Sequence, residues 1–168
     1  MTARDQTGRD QTKTLFLLFQ LGADRYALAA DSVGEVLPLV TIKALPGSPP
    51  AVAGLIDYRG SPVPVIDLNI LALGQPARRR LSTRILLTRF EADADRPRWL
   101  GLIVEQATGT TRRPISDFAP SDVGNDAAPY LGPVAPDPDG MIQWIDPTRL
   151  LSAEIRDMLF REPRGEAA

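Results

Sequence analysis

The feature that most constrains this chain is the segment Gly54-Leu55-Ile56-Asp57-Tyr58-Arg59-Gly60-Ser61-Pro62-Val63-Pro64-Val65-Ile66-Asp67-Leu68. Two strongly apolar runs meet at Arg59-Gly60 with almost nothing between them, which leaves a tight hairpin as the natural connection. Gly60 can supply the positive φ that such a turn needs. Pro62 and Pro64 cannot donate to a ladder, so the second run should begin at a turn and lie partly on a sheet edge. A long cation at the tip of an apolar hairpin has no role in the core, and Arg59 is expected to face solvent or a partner.

The rest of the sequence has the same style. Residues 14–21 and 26–29 read as a hairpin around Gly22. Asp31 or Ser32 is expected to cap a short helical turn through Val36, followed by an extended run over 37–45 that Pro38 interrupts, and a rigid loop over 46–50. Asp67 is placed to cap a short helical turn carrying Leu68, Leu71 and Leu73, ended by Gly74-Gln75-Pro76. Residues 85–90 and 99–104 form a second hairpin across a charged loop through Arg98. Further extended pieces are expected at 107–115, 130–135 and 141–145, the last two separated by a turn over 136–140, with 116–129 irregular. Asp146-Pro147 opens a helix whose Leu151, Ile155, Met158 and Leu159 recur at helical spacing before Pro163. With 13 glycines and 16 prolines punctuating short apolar runs, the fold class is mainly β, a barrel or sandwich. At 168 residues and 43% hydrophobic content, the chain can bury a substantial core.

Composition removes several functional classes. Zero histidines and zero cysteines exclude serine triads, histidine phosphotransfer, thiolate catalysis, disulfides and most zinc chemistry. Lys13 falls in a polar N-terminal arm and Lys43 in a strand-like run, neither beside a nucleophilic serine. A net charge of −2 gives no global basic field for nucleic acid or an acidic membrane. The cluster Arg78-Arg79-Arg80 with Arg84 lacks neighbouring aromatic platforms in a chain only 6% aromatic, so it reads as a solvated connector. Asp57 and Asp67 are the pair a small carboxylate-dependent hydrolase would use. The capping reading of Asp67 is preferred to it. Asp137, Asp139 and Gly140 read as a plain turn, since Pro138 and a missing ligand series rule against a calcium loop. There is no phosphate-binding glycine loop. The polar N-terminus and the lack of a long apolar run are read as a soluble, cytoplasmic protein without direct membrane insertion.

The pattern G-x-x-x-x-R-G-x-x-x-P-V-I-D-L across Gly54 to Leu68 resembles the central signature of the CheW family of chemotaxis scaffolds. Val33-Gly34-Glu35-Val36 is similar to the family's V-x-E-[IV], and Gly101-Leu102-Ile103-Val104-Glu105 to its G-[IL]-[IV]-V-D strand. Tyr130-Leu131-Gly132 and Ile145-Asp146-Pro147-Thr148-Arg149-Leu150-Leu151 resemble later family segments. The resemblance runs from about Leu15 to Leu159. It implies two small five-stranded barrels of the Src-homology-3 kind with short helices and a C-terminal helix, no catalytic activity and no cofactor or metal. Its boundaries are a disordered arm over 1–13 and a CheW-like domain over 14–160. Within that domain, lobe one would span about 14–73, lobe two about 82–146 and the helix about 147–160, before a loose tail over 161–168.

The implied function is an adaptor bridging chemoreceptor cytoplasmic tips to a CheA-type histidine kinase, recruited to membrane receptor arrays through protein contacts. Carried over residue by residue, Val33, Glu35 and Arg59 would touch the receptor, with Asp57 and Gly60 as accessory positions. The resemblance assigns no kinase-facing residue. For Val36, packing of the helical turn onto a barrel is preferred to contact, and Glu35 is expected to be exposed. Where the family often shows N-L-R-G, this chain has Asp57-Tyr58-Arg59-Gly60, and Glu105 replaces an aspartate. These departures suggest a divergent member, serving surface behaviour or second-messenger output in place of flagellar steering.

Overall fold

The computed structural model describes residues 13–90, 98–121 and 126–161. In chain order the elements are β1 (Lys13–Leu21), β2 (Asp24–Ala29), β3 (Val33–Pro38), β4 (Val52–Tyr58), β5 (Ser61–Asp67), α1 (Leu68–Leu73), β6 (Arg84–Phe90), β7 (Arg98–Pro114), β8 (Leu131–Asp137), β9 (Gly140–Ile145) and α2 (Ala153–Leu159). Three-residue helical turns at Ala30–Ser32, Ile115–Asp117 and Pro147–Arg149 join some of them.

The apolar runs of β1, β2, β5 and β6 lack polar alternation because each of these strands faces two cores. Along β6, Ile85 and Leu87 enter one cluster with Ile56, Val63, Val65 and Ile103, while Leu86 and Phe90 enter another. Along β1, Phe16 and Leu18 join Ala27, Phe118 and Ile142, whereas Phe19 and Leu21 turn to the layer that also receives Leu86. Successive side chains point to opposite faces of a strand. One face therefore fills its own barrel and the other fills a shared layer, which holds Leu28, Ile66, Leu68, Leu100, Leu102 and Val104. Each fully buried side chain of this size contributes roughly 2 kcal/mol, so the shared layer holds the two halves together.

Strand pairing defines two five-stranded units. One comprises β3, β6, the first half of β7, β5 and β4; the other comprises the second half of β7, β1, β2, β9 and β8. Each is closed by a returning segment. Lys43 and Leu55 exchange two backbone hydrogen bonds of 2.8 Å, and Ala119 and Val134 exchange bonds of 2.8 and 3.0 Å. Gly54 makes the first closure possible: at φ 142°, a Cβ there would lie 2.0 Å from the Lys43 carbonyl oxygen. β7 runs through both units, kinked where its register with β1 shifts and Gln106 adopts φ 49°.

Several expectations are corrected. The lobes are not consecutive blocks over 14–73 and 82–146: β1 and β2 belong with β8 and β9, and β3 to β5 with β6. The extended piece at 107–115 is the continuation of the strand at 99–104. Lys13 opens β1 opposite Pro114 and does not belong to an arm. The helical turn ends at Ser32, and Val33 to Val36 lie in β3, where a strand partner in β6 outweighs the capping signal. Beyond Pro38 the run over 37–45 is irregular except at Lys43. The single C-terminal helix is two pieces: a turn capped by Asp146 and α2 capped by Ser152, whose side chain accepts from the Ile155 N–H at 3.3 Å. Ile155, Leu159 and Phe160 pack on the shared layer. The expected arm before Lys13, most of the charged loop (91–97) and the tail after Arg161 lie outside the described residues, as do 122–125 within the irregular stretch.

Candidate functional site

The β4–β5 connection is a two-residue turn in which Tyr58 pairs with Ser61, while Arg59 and Gly60 have φ of 50° and 83°. Positive φ at both central residues is the hairpin turn whose twist matches the strands. Glycine takes this conformation freely, whereas arginine is strained by about 1 kcal/mol. The turn is held from within by the Gly60 N–H, which donates to Asp57 Oδ1 at 2.8 Å. Tyr58 and Ser61 form the hydrogen-bonded rung, so Pro62 and Pro64 fall on the alternate rungs and face away from β4. β7 pairs with β5 only from Val65 onward, so these prolines leave no ladder bond unmade.

β3 brings Glu35 alongside. Its Oε2 accepts from the Tyr58 hydroxyl at 2.5 Å and lies 3.8 Å from Arg59 Nη2. The Glu35 side chain is 39% exposed and that of Arg59 78%, so Glu35 is half-buried and engaged, not simply solvated. The Arg59 guanidinium lies 5.1 Å from the Tyr58 ring centroid. Tyr58 is braced edge-on by Trp99 at 6.5 Å, and Arg89 sits 5.7 Å from the Trp99 ring. Trp99 crosses β3 at Gly34, the extra residue of a bulge between Val33 and Glu35, where a Cβ would lie 2.4 Å from the indole. The Tyr58 hydroxyl is raised above its ordinary pKa, first by its hydrogen bond to Glu35 and then by desolvation, while the Arg59 charge pulls it back.

Of the residues singled out in the sequence, the fold brings Glu35 and Arg59 together, with Asp57 and Gly60 shaping the turn. Val33 stands across the bulge, half-buried against the shared layer. Val36 is 43% exposed on β3 and does not pack on a barrel as expected. Tyr58, Trp99 and Arg89 were not singled out. Tyr58 stood only as a departure from the family's leucine, and Trp99 lies far away in sequence, so the ring contacts joining them required the three-dimensional pairing. Between the two units a groove of about 490 Å³ passes Ser32, Arg89, Tyr130 and Trp144.

The carboxylate pair is not assembled. Asp57 faces Pro62 at one end of the hairpin and Asp67 closes the other, five residues of strand or roughly 17 Å away. The Asp67 carboxylate is occupied by the N–H groups of Asn69, Ile70 and Ala77. In the basic connector, the Arg84 guanidinium turns back on the carbonyls of Leu81 and Thr83, and the Arg78 N–H donates to Glu105. Among the described residues no group of three or more acidic side chains is placed to hold a metal, and no helix is long and apolar enough to cross a membrane.

Two closed barrels share one apolar layer, and one of them carries an exposed arginine turn on an aromatic support. Residues 15–154 match the family described as the CheW-like domain, and the chain belongs to that family. It is 30% identical over 114 residues to protein FrzA of Myxococcus xanthus, covering 67% of this chain and 68% of the relative. To the chemotaxis protein CheW of Klebsiella aerogenes it is 26% identical over 145 residues, covering 83% and 82%. The crystal structure of the scaffolding protein TtCheW from Thermoanaerobacter tengcongensis superposes with a TM-score of 0.77 at 25% identity, over 88% of this chain and 93% of that one. The chain is thus a CheW-like scaffold of chemotaxis-type signalling.

Proposed function

We propose that this chain is a non-catalytic adaptor that couples the cytoplasmic tip of a chemoreceptor to a CheA-type histidine kinase in a chemosensory array. The observation that carries this reading is Arg59: a strained, 78% exposed arginine held over Tyr58 beside Glu35, on a scaffold of the CheW family. A guanidinium so placed offers forked donors to a carboxylate or to backbone carbonyls. Val33, Glu35 and Arg59 form the receptor face, with Asp57 and Gly60 holding its turn, and the neighbouring groove receives the rest of the tip. The kinase regulatory domain docks through apolar barrel edges. Protein contacts recruit the chain from the cytoplasm to the array, and the receptor and kinase recovered with it identify the pathway, whether flagellar steering, surface behaviour or second-messenger output.

The test is Arg59→Glu, measured against a soluble receptor signalling fragment. Reversal of an interface hot spot should weaken binding at least about 30-fold, the equivalent of roughly 2 kcal/mol, with the thermal midpoint of the free protein unchanged. An unaltered affinity would sink the assignment.

A further inference from the structure

We infer that Tyr58 keeps Arg59 available to its partner: the hydroxyl takes Glu35, the ring carries the guanidinium, and the arginine's donors are left for an acceptor on the receptor. The inference rests on the receptor-face reading above and adds a residue with its own role at that face. Glu35 Oε2 is the atom for which two groups compete. The Tyr58 hydroxyl holds it at 2.5 Å, a full hydrogen bond, whereas Arg59 Nη2 at 3.8 Å has the charge attraction without the bond. An exposed arginine next to a free glutamate would close into a two-pronged pair with it. That pair would have to open before a partner bound.

Tyr58 prevents this in two ways. It occupies the carboxylate through its hydroxyl, and it gives the guanidinium a ring face to lie on, 5.1 Å from the centroid. The ring is itself fixed, since Trp99 braces its edge and the bare backbone of Gly34 admits Trp99. The partner chemistry that fits is an acceptor group with negative charge, a carboxylate on the receptor tip. A lysine there would meet Arg59 as a like charge and find Glu35 already bonded.

The experiment is a double-mutant cycle of Tyr58→Phe and Glu35→Gln, with binding to the receptor signalling fragment measured by calorimetry. Phenylalanine keeps the ring and removes only the hydroxyl. Tyr58→Phe alone should weaken binding about 5- to 10-fold, as Glu35 moves onto Arg59. In the Glu35→Gln background, where no charged competitor remains, it should change binding less than twofold. An equal effect in both backgrounds would mean that the hydroxyl touches the partner directly, and no effect in either would mean that it does nothing; both overturn the inference.

A second readout uses the free protein alone. The Tyr58 phenol, followed by NMR of labelled tyrosine and assigned with Tyr58→Phe, should titrate above its ordinary value and move down in Glu35→Gln; an unmoved midpoint rejects the Tyr58–Glu35 lock. If the wild-type protein fails to bind any receptor fragment, the adaptor reading falls and the partner half of this inference falls with it. The free-protein titration then still decides whether the lock exists.

Discussion

Replacing Asp67 separates a structural carboxylate from a catalytic one. Its side chain accepts from the Asn69, Ile70 and Ala77 N–H groups at 3.0, 3.3 and 3.0 Å, and the residue is only 6% exposed. Two of these bonds cap α1 and the third ties down the chain leaving it. Asp67→Ala removes the cap, about 1 kcal/mol, and leaves the partly buried Ala77 N–H unpaired, another 1 to 2 kcal/mol by order of magnitude. The expected loss is about 2 to 3 kcal/mol. Asp67→Asn keeps one oxygen for the cap but sets its amide N–H₂ against the Ala77 donor, so it should cost about 1 to 2 kcal/mol. With a denaturant slope of roughly 2 kcal/mol per molar, the alanine variant should lose about 1 to 1.5 M in urea midpoint and the asparagine variant about 0.5 to 1 M. Tryptophan fluorescence and far-ultraviolet circular dichroism report on the transition, and their coincidence checks its two-state character. An alanine variant as stable as wild type, or an asparagine variant less stable than alanine, would refute the capping account.

Gly54→Ala should be among the most damaging single-methyl changes, because the added carbon would overlap the Lys43 carbonyl at a φ of 142°; a loss of about 3 kcal/mol or more, read as a thermal midpoint lower by roughly 6–12 °C, is expected. Asp137 is gripped by Arg25 and by Arg113 at 2.8 Å, with side-chain exposures of 11% for the aspartate and 27% and 14% for the arginines. Asp137→Ala leaves Arg25 with the looser 3.6 Å contact to Asp139 and Arg113 with the Pro136 carbonyl, and after discounting for water at the arginines should cost about 2 kcal/mol, a midpoint drop of roughly 4–8 °C. Tyr58 binds its proton more tightly folded than unfolded, so its contribution to stability is complete below pH 10.0 and disappears as pH rises through the higher folded value. Tyr58→Phe should therefore flatten the alkaline arm of a stability-versus-pH curve, leaving the part due to Tyr26 and Tyr130, which burial also raises. An unchanged slope contradicts the Glu35 hydrogen bond.

Much of this architecture is legible locally. Gly60 and the two prolines announce the hairpin, Asp67 announces the helix that follows it, and the unbroken apolar runs announce strands with no solvated face. What local reading misses is pairing between distant segments. A deviant register at Gln106 lets one strand serve two barrels, and no residue near it signals a partner at Leu18. The capping potential of Asp31 and Ser32 is real, yet the β6 ladder claims Val33 onward. At the site, Arg59 and Glu35 are recoverable from motifs. The support beneath them is not, because it depends on an indole from β7 meeting a bulge in β3.

The strand shared by both barrels has a consequence for synthesis on the ribosome. β1 and β2 emerge early, but their partners lie in the second half of β7 and in β9. At a translation rate of about 5–20 residues per second, the first hairpin waits roughly 5–20 s for β7 to arrive. The barrel of β3 to β6 likewise lacks β7 until it is made. The barrel of β3 to β6 can close once residues 98–104 are made, whereas that of β1, β2, β8 and β9 cannot close on a nascent chain cut short before Ile145. During that interval Phe16 and Leu18 lack the cover of Phe118 and Ile142, and Phe19 and Leu28 lack that of Leu100, Leu102 and Val104, so a truncated product is expected to aggregate, and half-length fragments should regain structure only when combined.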